Sequence, residues 1–180
     1  MKIWGSVLLA AGMTVSLVVP ASAAIGVLKD KRGDTVASVD WTRLAVTNTP
    51  NAIKARVDFV KLPARGLRDP DYGKLDFYAT VVIETYDVAE WRHYFVSAYR
   101  GADGRTRTKI VYNDASGYSN ARCAGLKVRW VAGRGGHVDM VVPRSCLQVS
   151  RSIAASARTG SAVVDRLYDT SSKKVLVAMN

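Results

Sequence analysis

From Ala52 to Lys61 apolar and charged residues alternate: Ile53, Ala55, Val57 and Phe59 interleave with Lys54, Arg56 and Asp58. Side chains two apart leave the same side of an extended chain, so this segment is a strand with one face in a core and the other in water. The same period returns in Leu75–Tyr86, where Leu75, Phe77, Ala79, Val81 and Ile83 share a side, and in Trp91–Arg100, where Trp91, His93, Phe95 and Ser97 do. Further β-like stretches cover residues 38–46, 106–112, both flanks of Gly133-Arg134-Gly135-Gly136, 148–157 and 162–168. Between them lie turn signals: the cluster at 47–51, the Pro/Gly-punctuated loop 63–74, Gly101-Ala102-Asp103-Gly104, and a Ser/Gly/Asn-rich loop after Tyr112. No long amphipathic helix interrupts this pattern. Short strands at this spacing predict an all-β fold, an antiparallel β-sandwich of about eight or nine strands.

The cysteines sharpen one hairpin. Cys123 and Cys146, the only two, are expected to form one disulfide. They are equidistant from the middle of the Gly-rich turn, so a simple hairpin would set them opposite each other. That register would put Val138, Met140 and Val142 on the face of Lys127 and Arg129. A one-residue shift aligns them with Leu126, Val128 and Trp130 instead, and burial normally decides register. An odd-length turn with a left-handed glycine is therefore expected, with the offset absorbed near Pro143. There is no C-x-x-C, and two cysteines alone cannot complete a zinc site.

The N-terminus reads as a secretory signal peptide, residues 1–23, followed by a single domain, 24–180. Lys2 is the charged start, Ile3 to Val19 an uncharged apolar run, and Ala21-Ser22-Ala23-Ala24 a small-residue cleavage site, with cuts after Ala23 and after Ala24 fitting equally. A secreted protein without a stable membrane anchor is expected. The formal net charge of +11 loses only Lys2 with the leader. Such a surface favours anionic company, although its basic residues are spread along the chain, as on many soluble proteins, and nucleic acid is the less expected partner.

No nucleophile elbow, H-E-x-x-H or P-loop occurs, and Glu84 and Glu90 are the only glutamates available for glycosidase-type chemistry. No catalytic residue is assigned. The oxygen-rich run Asp69-Pro70-Asp71-Tyr72-Gly73-Lys74-Leu75-Asp76 could suit structural calcium, but it lacks the ligand spacing of a helix–loop–helix site and reads better as a turn. No metal site or cofactor is assigned. His93 reads as a histidine at the rim of the core, His137-x-Asp139 is too short a motif to carry meaning, and Met140 reads as core.

The candidate surface is the outer side of the hairpin Leu75–Tyr86 with Trp91–Arg100. With Phe77, Val81, Ile83 and Phe95 inside, that side would show Tyr78, Glu84, Tyr86, Arg92, Tyr94 and Arg100, with Tyr86 beside Arg92 and Tyr78 beside Arg100. Flat aromatics among hydrogen-bonding charges can stack on sugar rings. Ordinary cross-strand pairing on a solvated sheet accounts for the same residues.

The strand Lys54-Ala55-Arg56-Val57-Asp58-Phe59, the hairpin beginning Asp76–Ile83, and Val142-Pro143-Arg144-Ser145-Cys146-Leu147 together resemble a group of small exported proteins of actinobacteria. The fold of that group is similar to carbohydrate-binding and DOMON-type sandwiches. The resemblance implies a sandwich and a ligand-binding role, and it carries no site residue with it. The expectation is a non-catalytic binding module for cell-wall or extracellular polysaccharide, its partner an anionic or neutral glycan of the cell envelope. The alternatives are an envelope structural or protein-interaction protein, and a hydrolase with an unrecognised site.

Overall fold

The computed structural model describes residues 24–85, 91–148, 151–161 and 168–179. The leader read at 1–23 lies outside them.

The described residues are all-β, apart from one 3-10 turn at Arg144–Cys146. The first antiparallel sheet contains β1 (Ala24–Lys29), β2 (Trp41–Asn48), β3 (Ala52–Phe59), β13 (His137–Pro143) and β11 (Lys127–Val131), in that spatial order. The second runs β10 (Gly117–Ala121), β9 (Thr106–Asp114), β8 (His93–Arg100), β7 (Phe77–Thr85), β14 (Ser152–Gly160) and β15 (Tyr168–Thr170), with β16 (Val175–Ala178) also paired to β14. Two short ladders complete the set: β4 (Lys61–Leu62) with β12 (Gly133–Arg134), and β5 (Leu67–Asp69) with β6 (Gly73–Leu75).

Five and seven strands in the main sheets exceed the expected eight or nine. The surplus comes from segments without clean alternation. β1 and β16 are short edge strands, and β10 occupies the Ser/Gly/Asn-rich stretch expected to be a loop. There Asp114 Oδ1 accepts the N–H and hydroxyl of Ser116 at 2.9 and 2.6 Å, and this turn folds β10 back onto β9.

β3 follows its alternation without exception: Ile53, Ala55, Val57 and Phe59 are buried, and Lys54 and Arg56 are exposed. The inner sides of both sheets share one core, crossed by an edge-to-face series from Phe59 to Phe77 to Trp130, with centroids 5.8 and 5.6 Å apart. Polar ties also join the sheets. The buried Asn48 amide donates to the carbonyls of Arg151 and Val177 at 3.0 and 3.1 Å, and the Thr159 hydroxyl donates to the Val39 carbonyl at 2.5 Å.

The β11–β13 hairpin takes the shifted register, pairing Val128 with Met140 and Trp130 with Val138. Its turn is the odd-length loop 132–136, and Gly133 adopts φ +110°, a conformation that side chains other than glycine rarely reach. Val138, Met140 and Val142 are all buried as a result. The disulfide Cys123–Cys146 closes beyond the ladder, with Cα atoms 5.0 Å apart, and the 3-10 turn directly after Pro143 takes up the offset.

Candidate functional site: an aromatic groove on the seven-stranded sheet

The β7–β8 hairpin does not take the register expected for it. Phe77 faces Arg100, Tyr78 faces Tyr99, Val81 faces Val96 and Ile83 faces Tyr94. This moves every β8 side chain to the side opposite the one read from the sequence. Tyr94 is core, 2 % exposed, with its hydroxyl accepting the Gln148 N–H at 2.8 Å. Phe95 and Ser97, expected inside, stand on the outer side, as does His93. The physical reason is packing. The series Tyr94, Val96, Ala98 presents largely apolar side chains to Ile83, Val81 and Ala79, whereas the alternative would have turned the polar Ser97 and His93 into the apolar core between the sheets.

The other candidates separate accordingly. Tyr78 remains on the outer side. Glu84 is there too, nearly buried, with Lys174 Nζ at 2.7 Å and His93 Nε2 at 3.9 Å. Tyr86 lies outside the described residues. Arg92 packs over the Tyr112 ring, 5.5 Å from its centroid, and reaches Asp114 and Gln148 at the edge near the 3-10 turn. The hydroxyl and N–H of Ser116, with the Arg92 charge further off, hold the Asp114 carboxyl below its ordinary range. Arg100 faces the inter-sheet side, with its guanidinium 5.7 Å from the Trp130 ring and Nε donating to the Ala64 carbonyl at 2.8 Å. Arg92, Tyr94 and Arg100 therefore do not join Tyr78 in one surface. The oxygen-rich run is a turn: Asp69 Oδ1 accepts the N–H groups of Asp71 and Tyr72 at 2.9 and 3.2 Å between β5 and β6.

The outer side of the sheet instead assembles an open groove of about 290 Å³ across β14, β7, β8, β9 and β10. Its lining is Tyr78 and Thr80 from β7, Phe95, Ser97 and Tyr99 from β8, Val111, Tyr118 and Arg158. Neighbouring strands lie about 4.8 Å apart, so the lining extends roughly 19 Å across the sheet. The Thr80 and Ser97 hydroxyls, directly paired, are 2.7 Å apart and form a polar floor. Tyr78 and Tyr99 form one wall, with centroids 6.3 Å apart. Phe95 lies between Tyr118, at 6.1 Å, and the Arg158 guanidinium, 5.5 Å from its ring. That cation over the ring accounts for how a phenylalanine is held on the outer side. Tyr118 is 72 % exposed, which leaves its ring available to a ligand.

Arg107 and Lys109 continue the same side of β9, opposite Tyr99 and Ser97, and bring positive charge to the border of the groove. The groove thus offers aromatic planes, two hydroxyls and cations to whatever occupies it. Sequence reading missed Phe95, Tyr99, Tyr118 and Arg158. Spacing alone could have grouped Phe95 with Tyr99; Tyr118 was hidden in a stretch with loop composition. Comparison of the chain with protein-family models, with curated proteins and with solved structures gives no match to any of them.

Proposed function

We propose that this protein is an exported, non-catalytic β-sandwich module that binds cell-wall or extracellular polysaccharide, with the groove of Tyr78, Phe95, Tyr99 and Tyr118 as its site. The observation that carries the reading is the clustering of four aromatic rings and Arg158 on the outer side of one sheet, over a buried, mutually bonded hydroxyl pair at the groove floor. Sugar rings present apolar C–H faces and hydroxyl rims, which suit ring planes bordered by hydrogen-bonding groups. The basic border at Arg107 and Lys109, together with the net charge of +11, favours acidic polymers over neutral ones. Export is supported by the leader pattern in the sequence and by the disulfide, a bond typical of oxidising compartments.

The test is retention of the protein on purified insoluble cell wall across a salt series. Charge attraction fades as the Debye length falls to about 3 Å near 1 M salt, whereas stacking persists. Retention that survives at that salt, weakens roughly tenfold in Tyr118→Ala (about 1.4 kcal/mol) and disappears in the Tyr99→Ala/Tyr118→Ala double variant is expected. Equal high-salt retention of parent and double variant would remove the groove from the argument. Release of the parent at moderate salt would reduce binding to net charge.

A second reading, an envelope protein that binds other proteins, is favoured by one observation. β1 is an edge strand showing Ile25 and Val27 at 68 and 43 % exposure, a surface suited to strand addition. It predicts crosslinking to a protein partner without glycan retention.

A further inference from the structure

The loop after β1 and the last segment of the chain meet at one end of the two sheets, and there carboxylates gather. Asp30 follows β1, Asp34 lies in the loop, and Asp169 sits at the centre of β15. One oxygen from each lies within 4.8 Å of the others. In a chain of net charge +11, no lysine or arginine among the described residues forms an ion pair with any of the three. Lys173 acts on Asp30 only through its longer-range charge.

A fourth carboxylate stands behind them. Asp40 is 1 % exposed; its Oδ2 accepts the N–H of Gly33 at 2.8 Å, so it is held against the loop that carries Asp30 and Asp34. Its Oδ1 is buried without a hydrogen-bond partner, a costly condition for a carboxylate oxygen. The next residue, Trp41, donates its N–H to Asp169 Oδ2 at 3.1 Å, across 128 residues of chain. Burial first, and then the charges of Asp30, Asp34 and Asp40, push the Asp169 carboxyl up to about 6 against that hydrogen bond.

We propose that Asp30, Asp34 and Asp169, backed by Asp40, bind a calcium ion that fastens the loop after β1 to β15. The donor set is all oxygen and carries high negative charge, as a hard cation requires. Oxygens within 4.8 Å of one another can share one cation whose ligands sit at about 2.3–2.6 Å, the calcium range; magnesium keeps several waters and usually takes only one or two carboxylates, whereas here three converge with a fourth behind them. Water completes the coordination on the exposed side at Asp34. The site differs from the Asp69 run, whose carboxylate is occupied by its own turn.

The experiment is thermal unfolding of the full chain, stripped with EDTA and titrated separately with calcium and with magnesium, alongside terbium luminescence sensitised by Trp41. Calcium at roughly 100-fold above its dissociation constant should raise Tm by about 5–10 °C, saturably and reversibly with EDTA. Terbium emission should be competed by calcium. Asp169→Asn should abolish both signals, and Asp34→Asn, at an exposed position with no demand on folding, should weaken calcium at least about tenfold. An unchanged Tm in calcium would overturn the proposal, as would an equal response to magnesium. A calcium response undiminished in Asp34→Asn would do the same, and this variant decides the matter if Asp169→Asn does not fold.

Discussion

The two sides of the seven-stranded sheet are built from alternate residues of the same strands, yet they do different work. The inner side, with Phe77, Ala79, Val81 and Ile83 on β7 and Tyr94, Val96 and Ala98 on β8, is fully withdrawn from water and faces the other sheet. The outer side, one residue out of step, carries Tyr78, Thr80, Phe95, Ser97 and Tyr99 and keeps its rings partly in solvent. Both sides contain aromatics. What separates them is what accompanies the apolar residues between the rings: small and branched apolar side chains inside, and outside the hydroxyls of Thr80 and Ser97 and the Arg158 guanidinium beside Val82 and Val111. An aromatic residue therefore says little about the side it occupies until its neighbours two positions away are counted.

That contrast can be broken by substitution, and the largest effect belongs to the inner side. Phe77→Ala should cost about 3–5 kcal/mol, because it removes a ring in edge-to-face contact with both Phe59 and Trp130 at a position with no exposure. Urea denaturation measures this, and a loss under 1 kcal/mol would mean the inner packing is looser than described. A smaller effect isolates one hydroxyl. Tyr94→Phe leaves the Gln148 N–H without its acceptor and should cost about 1–2 kcal/mol, whereas Tyr99→Phe in the groove should change stability by less than about 0.5 kcal/mol. Equal costs for the two would erase the distinction between the sides. The smallest expected effect is at Tyr118. Its replacement by Ala should leave the urea midpoint nearly unchanged, within about 0.5 kcal/mol, while glycan retention falls. Loss of stability and retention together would turn the ring into a structural element.

Different parts of the molecule were legible to different degrees. β3 could be read residue by residue, because charged and apolar side chains alternate there and only one phase buries the apolar set. The register of the β11–β13 hairpin could also be read, since Val138, Met140 and Val142 admit a single matching partner series. β8 could not. Each of its phases contains aromatics, one with His93 and Ser97 and the other with Arg92 and Arg100 at its ends, so alternation gave the period without the phase. The groove followed the same fate, because three of its rings depend on that phase or on β10, whose composition resembles a loop.

The amino-acid sequence by itself determined the all-β class, the disulfide, the turn at Asp69 and the shifted cysteine hairpin. The disulfide rests on there being only two cysteines, and the others on interactions between residues close in the chain or on a burial pattern with one solution. Only the tertiary structure decided which side of β8 meets the core, since that depends on the fit of Tyr94, Val96 and Ala98 to β7 and to the opposite sheet. It alone brought Asp169 to Asp30, Asp34 and Asp40. Asp169 lies so far along the chain from the other three that no spacing joins them, and the force that gathers them is the burial of the two sheets against each other.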